Sequence, residues 1–264
     1  MRSLCILLVL GVTPSAGLLG QQRLLVVGGG KRPPDAVKSF VAWSGSERGS
    51  ILVITWASAE PDASFDALRQ ELSTAGAGRV VHAPTAPLDD AKRRQFISDL
   101  SVATAVFFSG GDQNRIMDVL ADAELLRLLR EKYRSGVPFG GTSAGAAVLS
   151  DPMMTGDADL KILDGKKVGV RAGLGLIPNV MFDQHFLVRQ RHNRLFGFIL
   201  ANPAFLGIGI DEDTSVVIED DRRLTVLGAT QVMIAYDRGG NKGMAVFFLR
   251  SSDRFDIRKR RKIG

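Results

Sequence analysis

From residue 23 to about residue 140 the chain repeats one pattern: a short, unbroken apolar run, a turn of small residues, then a stretch with helical spacing. The runs are Leu24-Leu25-Val26-Val27, Ile51-Leu52-Val53-Ile54-Thr55, Arg79-Val80-Val81-His82-Ala83, Ala105-Val106-Phe107-Phe108 and Val137-Pro138-Phe139-Gly140. Helical spacing fills 66–75, 89–100 and 118–134, the last with Leu120, Leu125, Leu128 and Leu129 on one side. A strand that is apolar on both faces cannot tolerate water on either. Helices between successive strands bring the chain back to start the next strand in the same direction. Together these predict an α/β fold of three αβα layers around a mainly parallel, doubly wound sheet. Four closely spaced runs at 215–218, 224–227, 232–236 and 244–249 predict an antiparallel C-terminal extension of that sheet. With no internal repeat and no Pro- or Gly-rich linker, residues 23–252 are expected to be one domain.

The two ends read differently. Met1-Arg2, the apolar stretch 4–12 and Thr13-Pro14-Ser15-Ala16-Gly17 have the layout of a signal peptide over residues 1–17. A secreted or periplasmic location follows, or a cytoplasmic one if that segment is not a signal. The single cysteine, Cys5, lies inside it, so a processed chain has neither disulfides nor a cysteine-based metal site. No apolar run reaches eighteen residues, so no membrane-spanning helix is expected. The formal charge of +6 is concentrated at the other end, where residues 254–262 hold six Lys and Arg. Residues 253–264 are therefore expected to form a solvated basic tail on a nearly neutral body, which argues against a nucleic-acid partner.

Gly141-Thr142-Ser143-Ala144-Gly145 matches the G-x-S-x-G nucleophile elbow. The chemistry needs a sharp strand-to-helix turn that exposes a serine hydroxyl, with glycines where side chains would collide. An apolar strand precedes this one and Ala146-Ala147 opens a helix behind it. The N–H of Ala144 is a natural oxyanion donor, and Gly111, in the turn Ser109-Gly110-Gly111, is a second. Of the three histidines, His185 is the best general base, since hydrophobic flanks can fix its ring; His82 precedes the nucleophile and His192 sits among charges. Arg189, Arg191 and Arg194 follow closely and suit recognition of a carboxylate, with a solvated basic face as the alternative. Gly28-Gly29-Gly30 hints at a dinucleotide loop, but Pro33 occupies the third glycine position, so that reading is discounted.

Taken in order, Phe107-Phe108-Ser109-Gly110-Gly111-Asp112-Gln113, Gly140-Gly141-Thr142-Ser143-Ala144-Gly145-Ala146-Ala147, Gly173-Leu174-Gly175-Leu176, Asp183-Gln184-His185-Phe186 and Gly207-Ile208-Gly209-Ile210-Asp211-Glu212-Asp213-Thr214 resemble the cyanophycinase branch of the serine peptidases, which includes aspartyl dipeptidases. The resemblance implies a fold similar to class I glutamine amidotransferase domains, a homodimer, no cofactor and no metal. It implies hydrolysis of β-aspartyl peptides, cyanophycin first, to β-Asp-Arg dipeptides. It makes Ser143 the nucleophile and His185 the base, with Gln113, Asp183, Gln184, Arg189, Arg191 and Arg194 lining the aspartate-side pocket. The third triad member falls at Asp159, where the family has glutamate, with Asp157 and Asp164 as substitutes. An α-aspartyl or isoaspartyl dipeptidase on the same machinery is the first alternative, and a non-catalytic binding protein the second.

Overall fold

The computed structural model describes residues 21–156, 160–240 and 242–264. The expected signal segment 1–17 lies outside the described residues. The parallel strands are β1 (Arg23–Val27), β2 (Ser50–Ile54), β3 (Arg79–His82), β4 (Ala105–Phe108) and β5 (Phe139–Thr142). Helices α1 (Pro34–Trp43), α2 (Pro61–Thr74), α3 (Asp90–Val102), α4 (Gln113–Val119) and α5 (Ala123–Arg134) connect them, and α6 (Ala144–Ala147) follows β5.

Alternation within each strand explains the layers. Leu24, Val26, Leu52, Ile54, Val106 and Phe108 point to one side, where they meet Phe96, Leu100, Ile116, Leu125 and Leu129 of α3, α4 and α5. Leu25, Val27, Ile51, Val53, Ala105 and Phe107 point to the other, against Val37 and Phe40 of α1 and Leu68 and Leu72 of α2. Both faces of the sheet are thus covered, as continuous apolar strands require. The helical stretch expected over 118–134 is two helices. Asp122 breaks it by capping α5, its carboxylate accepting from the N–H of Glu124 at 3.0 Å and Leu125 at 3.3 Å.

The remaining strands are β6 (Met153–Met154), β7 (Val170–Arg171), β8 (Val180–Asp183), β9 (Leu206–Ile210), β10 (Thr214–Glu219), β11 (Arg223–Gly228), β12 (Val232–Asp237), β13 (Met244–Leu249), β14 (Arg254–Asp256) and β15 (Arg261–Ile263), with α7 (His192–Ala201) between β8 and β9. The main sheet has nine strands in the order β15-β14-β11-β10-β1-β5-β4-β2-β3. β10 and β11 form the antiparallel extension that was expected. β12 and β13 do not join it. They pair with β9 and β8 in a second sheet, ordered β13-β12-β9-β8. One face of that sheet shares the main core through Phe182, Ile208 and Ile234. The other packs Met181 and Met233 on Leu195, Phe198 and Ile199 of α7. Alternation identifies a strand but not its neighbour, and here the chain changes sheets between β9 and β10, at Asp211, Glu212 and Asp213.

The basic C-terminal stretch is also built into the sheet and is not a solvated tail. β14 pairs with β11, and β15 with β14. Phe255 is fully buried, while Asp256 pairs with Arg222 and Asp253 with Lys262. The apolar residues Phe255 and Ile257, alternating with charge, anchor a segment whose composition alone reads as solvated.

Candidate active site

The hydroxyl-bearing turn is strained, and its neighbours explain how it survives. Ser143 sits at φ 54°, ψ −115° between β5 and α6, a conformation side chains rarely adopt. Its N–H donates to the Val27 carbonyl at the end of β1, 3.1 Å away. A Cβ on Gly141 would stand 2.1 Å from the Gly145 carbonyl oxygen, and one on Gly145 would stand 2.3 Å from that of Phe108. The two glycines of the elbow are therefore sterically required. The Gly110-Gly111 turn at the end of β4 lies alongside, with a Cβ direction on Gly110 ending 3.3 Å from Ser143 Cβ. Gly111 follows at φ 134° with its α-carbon pressed against the Ala57 carbonyl. The Gly110-Gly111 turn and the start of α6 thus lie on two sides of the serine.

His185 comes from the far side, immediately after β8. Its Nε2 is 2.8 Å from Ser143 Oγ. Its Nδ1 is 2.6 Å from Oε1 of Glu212. The ring is fixed by the backbone as well, since the His185 N–H donates to the Gly28 carbonyl at 2.7 Å. Burial drives the His185 pKa below its ordinary value. Glu212 works against that shift, and the nearby charges of Arg189 and Arg191 add to it. A neutral imidazole that accepts from a serine hydroxyl and donates to a carboxylate is set up to abstract the hydroxyl proton and to be stabilised once charged.

Two residue groups act here that sequence reasoning did not assign. Asp211, Glu212 and Asp213 occupy the corner between the two sheets and each holds a different part. Asp211, buried, accepts from the N–H groups of Leu187 and Val188 at 3.0 and 3.1 Å, fixing the turn after His185. Glu212 faces the imidazole. Asp213 accepts from the N–H of Lys31 at 2.5 Å and donates its own N–H to the Gly29 carbonyl. Gly28-Gly29-Gly30 is no nucleotide loop but the wall behind the histidine. A Cβ on Gly29, at φ 125°, would lie 2.2 Å from His185 Cε1. The signal for Glu212 was present in the acidic stretch that ends the 207–214 motif, but nothing local marks which acid of the trio meets the ring.

The expected third acid, Asp159, lies outside the described residues, as does Asp157. Asp164 is described, and it caps a 3₁₀ turn by accepting from the Lys166 N–H at 3.0 Å. The carboxylate on His185 is that of Glu212.

The six pocket residues separate by burial. Asp183 and Arg194 form a buried, two-pronged ion pair, with Arg194 Nε 2.9 Å from Asp183 Oδ2 and a second contact to Oδ1. Arg194 also donates to the Gly156 carbonyl. Arg191 is buried too, 3.8 Å from Asp183 and donating to the Gln184 carbonyl at 2.8 Å. These three carry a framework under the site. Gln184 is 4% exposed, and its side-chain oxygen has no hydrogen-bond partner among the described residues. Gln113, at the start of α4, donates to the Met154 carbonyl at 2.9 Å. Arg189 alone of the three arginines is exposed. His82 is remote from this constellation. It stacks on Phe65 and bonds Thr55 Oγ1 at 2.8 Å, a packed structural histidine.

Comparison with known proteins finds similar chains. Residues 24–226 match the family model described as Peptidase family S51. A cyanophycinase from Trichormus variabilis is 35% identical over 215 residues, covering 80% of this chain and 72% of that one. A cyanophycinase from Synechococcus elongatus is 36% identical over 219 residues, covering 81% and 68%. Among solved structures, a peptidase from an acI-B1 Actinobacterium has a TM-score of 0.68 at 24% identity, over 90% of this chain and 97% of that one. A putative peptidase E protein from Listeria monocytogenes EGD-e has a TM-score of 0.57 at 16% identity, over 80% and 100%. The two structures carry the fold comparison, and the class I glutamine amidotransferase-like expectation is consistent with them.

Proposed function

Because this chain belongs to peptidase family S51 and is a serine peptidase, we propose that it degrades cyanophycin, releasing β-Asp-Arg dipeptides through an acyl-enzyme. The relatives that carry the name cyanophycinase support the substrate class. One observation supports the mechanism above all: the unbroken hydrogen-bond chain from Ser143 Oγ through His185 to Glu212.

His185 Nε2 takes the Ser143 proton as Oγ attacks the carbonyl carbon of the scissile amide. Negative charge moves to the carbonyl oxygen, where the N–H groups of Ala144 and Gly111 receive it. A donor of this kind lowers the barrier by roughly 3 kcal/mol. The imidazolium is stabilised by Glu212, then gives its proton to the departing amine, and water entering the same place resolves the ester. Arg189, the exposed cation beside His185, meets a substrate carboxylate, with Gln113 and Gln184 as neutral partners. Arg191, Arg194 and Asp183 hold that wall in place from below. A homodimer and export through residues 1–17 are part of the proposal, the first from family resemblance and the second from the N-terminal sequence pattern.

The test is incubation of the purified protein with cyanophycin and with α-aspartyl dipeptides, products being identified by mass. Release of β-Asp-Arg that disappears in a folded Ser143→Ala variant is the expected result. Cleavage of α-aspartyl dipeptides alone would replace the substrate assignment. Activity surviving in Ser143→Ala would end the mechanism.

A further inference from the structure

Among the described residues a cavity lies apart from Ser143. It measures about 640 Å³ and opens beyond the carboxyl ends of β2 and β3, against α4 and α5, with Trp56 and Leu125 buried in its floor and Leu88 and Val119 on its sides. In open α/β sheets that edge is where ligands bind, and Ser143 stands on it at the end of β5. β2 lies two strands from β5, so the cavity begins about 10 Å from the nucleophile at ordinary strand spacing. The two places share a wall. The Asp112 N–H donates to the Ala57 carbonyl at 2.9 Å, and the Gly111 α-carbon rests on that carbonyl, while Arg115 reaches the Ser58 carbonyl at 3.4 Å. The Gly110-Gly111 loop beside Ser143 is therefore bonded to the segment whose Ser58 lines the cavity.

The rim chemistry is specific. Arg115 is exposed, and no carboxylate among the described residues pairs with it. Asp118, one turn along the same face of α4, is 66% exposed and gives one oxygen to Arg171 at 2.7 Å. The other charged pair at the edge, Arg93 with Asp122, is internally satisfied at 2.7 Å. The cavity thus offers an apolar floor, one available cation and one partly available anion. Each side group of an arginyl-polyaspartate chain carries a carboxylate and a guanidinium separated by an aliphatic stem. The stem suits the floor, the carboxylate suits Arg115 and the guanidinium suits Asp118.

We propose that this cavity is a remote subsite which holds the side group of a repeat distant from the scissile bond, so that the enzyme grips its polymer at two places. The proposal rests on the cyanophycin reading above. An extended chain advances about 3.5 Å per residue, so a distance of 10 Å corresponds to about three repeats.

Oligomers of two to six β-Asp-Arg repeats are to be assayed with the wild-type protein and with Arg115→Ala and Asp118→Asn, both exposed and both checked for an unchanged melting temperature. KM should fall when about the third or fourth repeat is added, and each variant should erase about fivefold of that fall, the worth of one partly solvated charge contact. A fall in KM that both variants retain overturns the subsite and leaves the peptidase reading standing. The subsite is equally overturned if the wild type cleaves every oligomer with one KM. If the wild type cleaves no oligomer, and a Ser143→Ala protein binds none by calorimetry, the subsite and the cyanophycin reading fall together.

Discussion

Removing the charge of Glu212 while keeping its shape tests the site most directly. In Glu212→Gln the side-chain oxygen still accepts from His185 Nδ1, so the loss is the stabilisation of the imidazolium that forms during proton transfer. The Nδ1–Oε1 separation is 2.6 Å, which puts the charge centres about 4 Å apart and their attraction near 4 kcal/mol at an effective dielectric of about 20. The carboxylate is 36% exposed, and water screens part of that attraction. A residual of about 2.7 kcal/mol corresponds to a loss of about 100-fold in kcat/KM. The pH profile gives a second, independent reading. The base must be neutral to act, so the acid limb of kcat/KM follows the His185 pKa, which burial already holds below 6.5 and which Glu212 raises. Without the carboxylate that pKa falls further, so the variant should combine a lower plateau with an acid limb moved to lower pH. Hydrolysis measured from pH 4 to 9, with the fold checked by circular dichroism, decides the matter. A loss of less than tenfold, or an acid limb that moves upward, would refute the reasoning. Asp159→Ala in the same assay is expected to lose less than tenfold, and the reverse ranking would return the acid's role to Asp159.

Three further perturbations follow from contacts already described. Gly29→Ala should lose most activity, because its methyl would enter the His185 ring at a φ that also carries about 1–3 kcal/mol of strain; kcat/KM close to wild type would show that the ring does not rest there. Arg194→Ala leaves Asp183 buried with, among the described residues, the more distant Arg191 as its cation, so urea denaturation should show a loss of about 3 kcal/mol, and a change below about 1 kcal/mol would mean the pair is not holding the framework. Deleting residues 253–264 removes β14 and β15 and the burial of Phe255, worth about 2–3 kcal/mol. The melting temperature should therefore drop, and an unchanged one would restore the solvated tail.

What the sequence disclosed about this molecule follows the range of each interaction. The elbow was legible because its requirements are local: glycines two residues either side of Ser143 and a strand before it. His185 was legible by elimination among three histidines, helped by its apolar flanks. Glu212 was not, since its role depends on a sheet change that brings residue 212 beside residue 185, and three adjacent acids look alike in one dimension. The arginines were identified as a group, but residue type does not tell Arg194, consumed by Asp183, from Arg189, which faces solvent. Likewise the runs at 232–236 and 244–249 were recognised as strands, yet their partners were fixed by β9 and α7, which periodicity does not reveal. The C-terminal stretch misled because charge dominated its composition while two apolar side chains decided its place.

The position of β1 has a consequence for how the protein comes into being. The first described strand lies in the middle of the sheet, with β5 on one side and β10 on the other. During synthesis, which delivers the N-terminal part first, β1 to β5 can assemble as a parallel half-sheet long before β10 exists. Until residue 219 has emerged, that half-sheet presents an open backbone edge along β1, the kind of edge on which chains aggregate. Over most of the same interval Ser143 lacks a complete relay, since Glu212, the partner of His185, arrives directly ahead of the segment that closes the edge. Capping the aggregation-prone border and arming the nucleophile are one folding event, so a truncated or stalled chain is both sticky and inert.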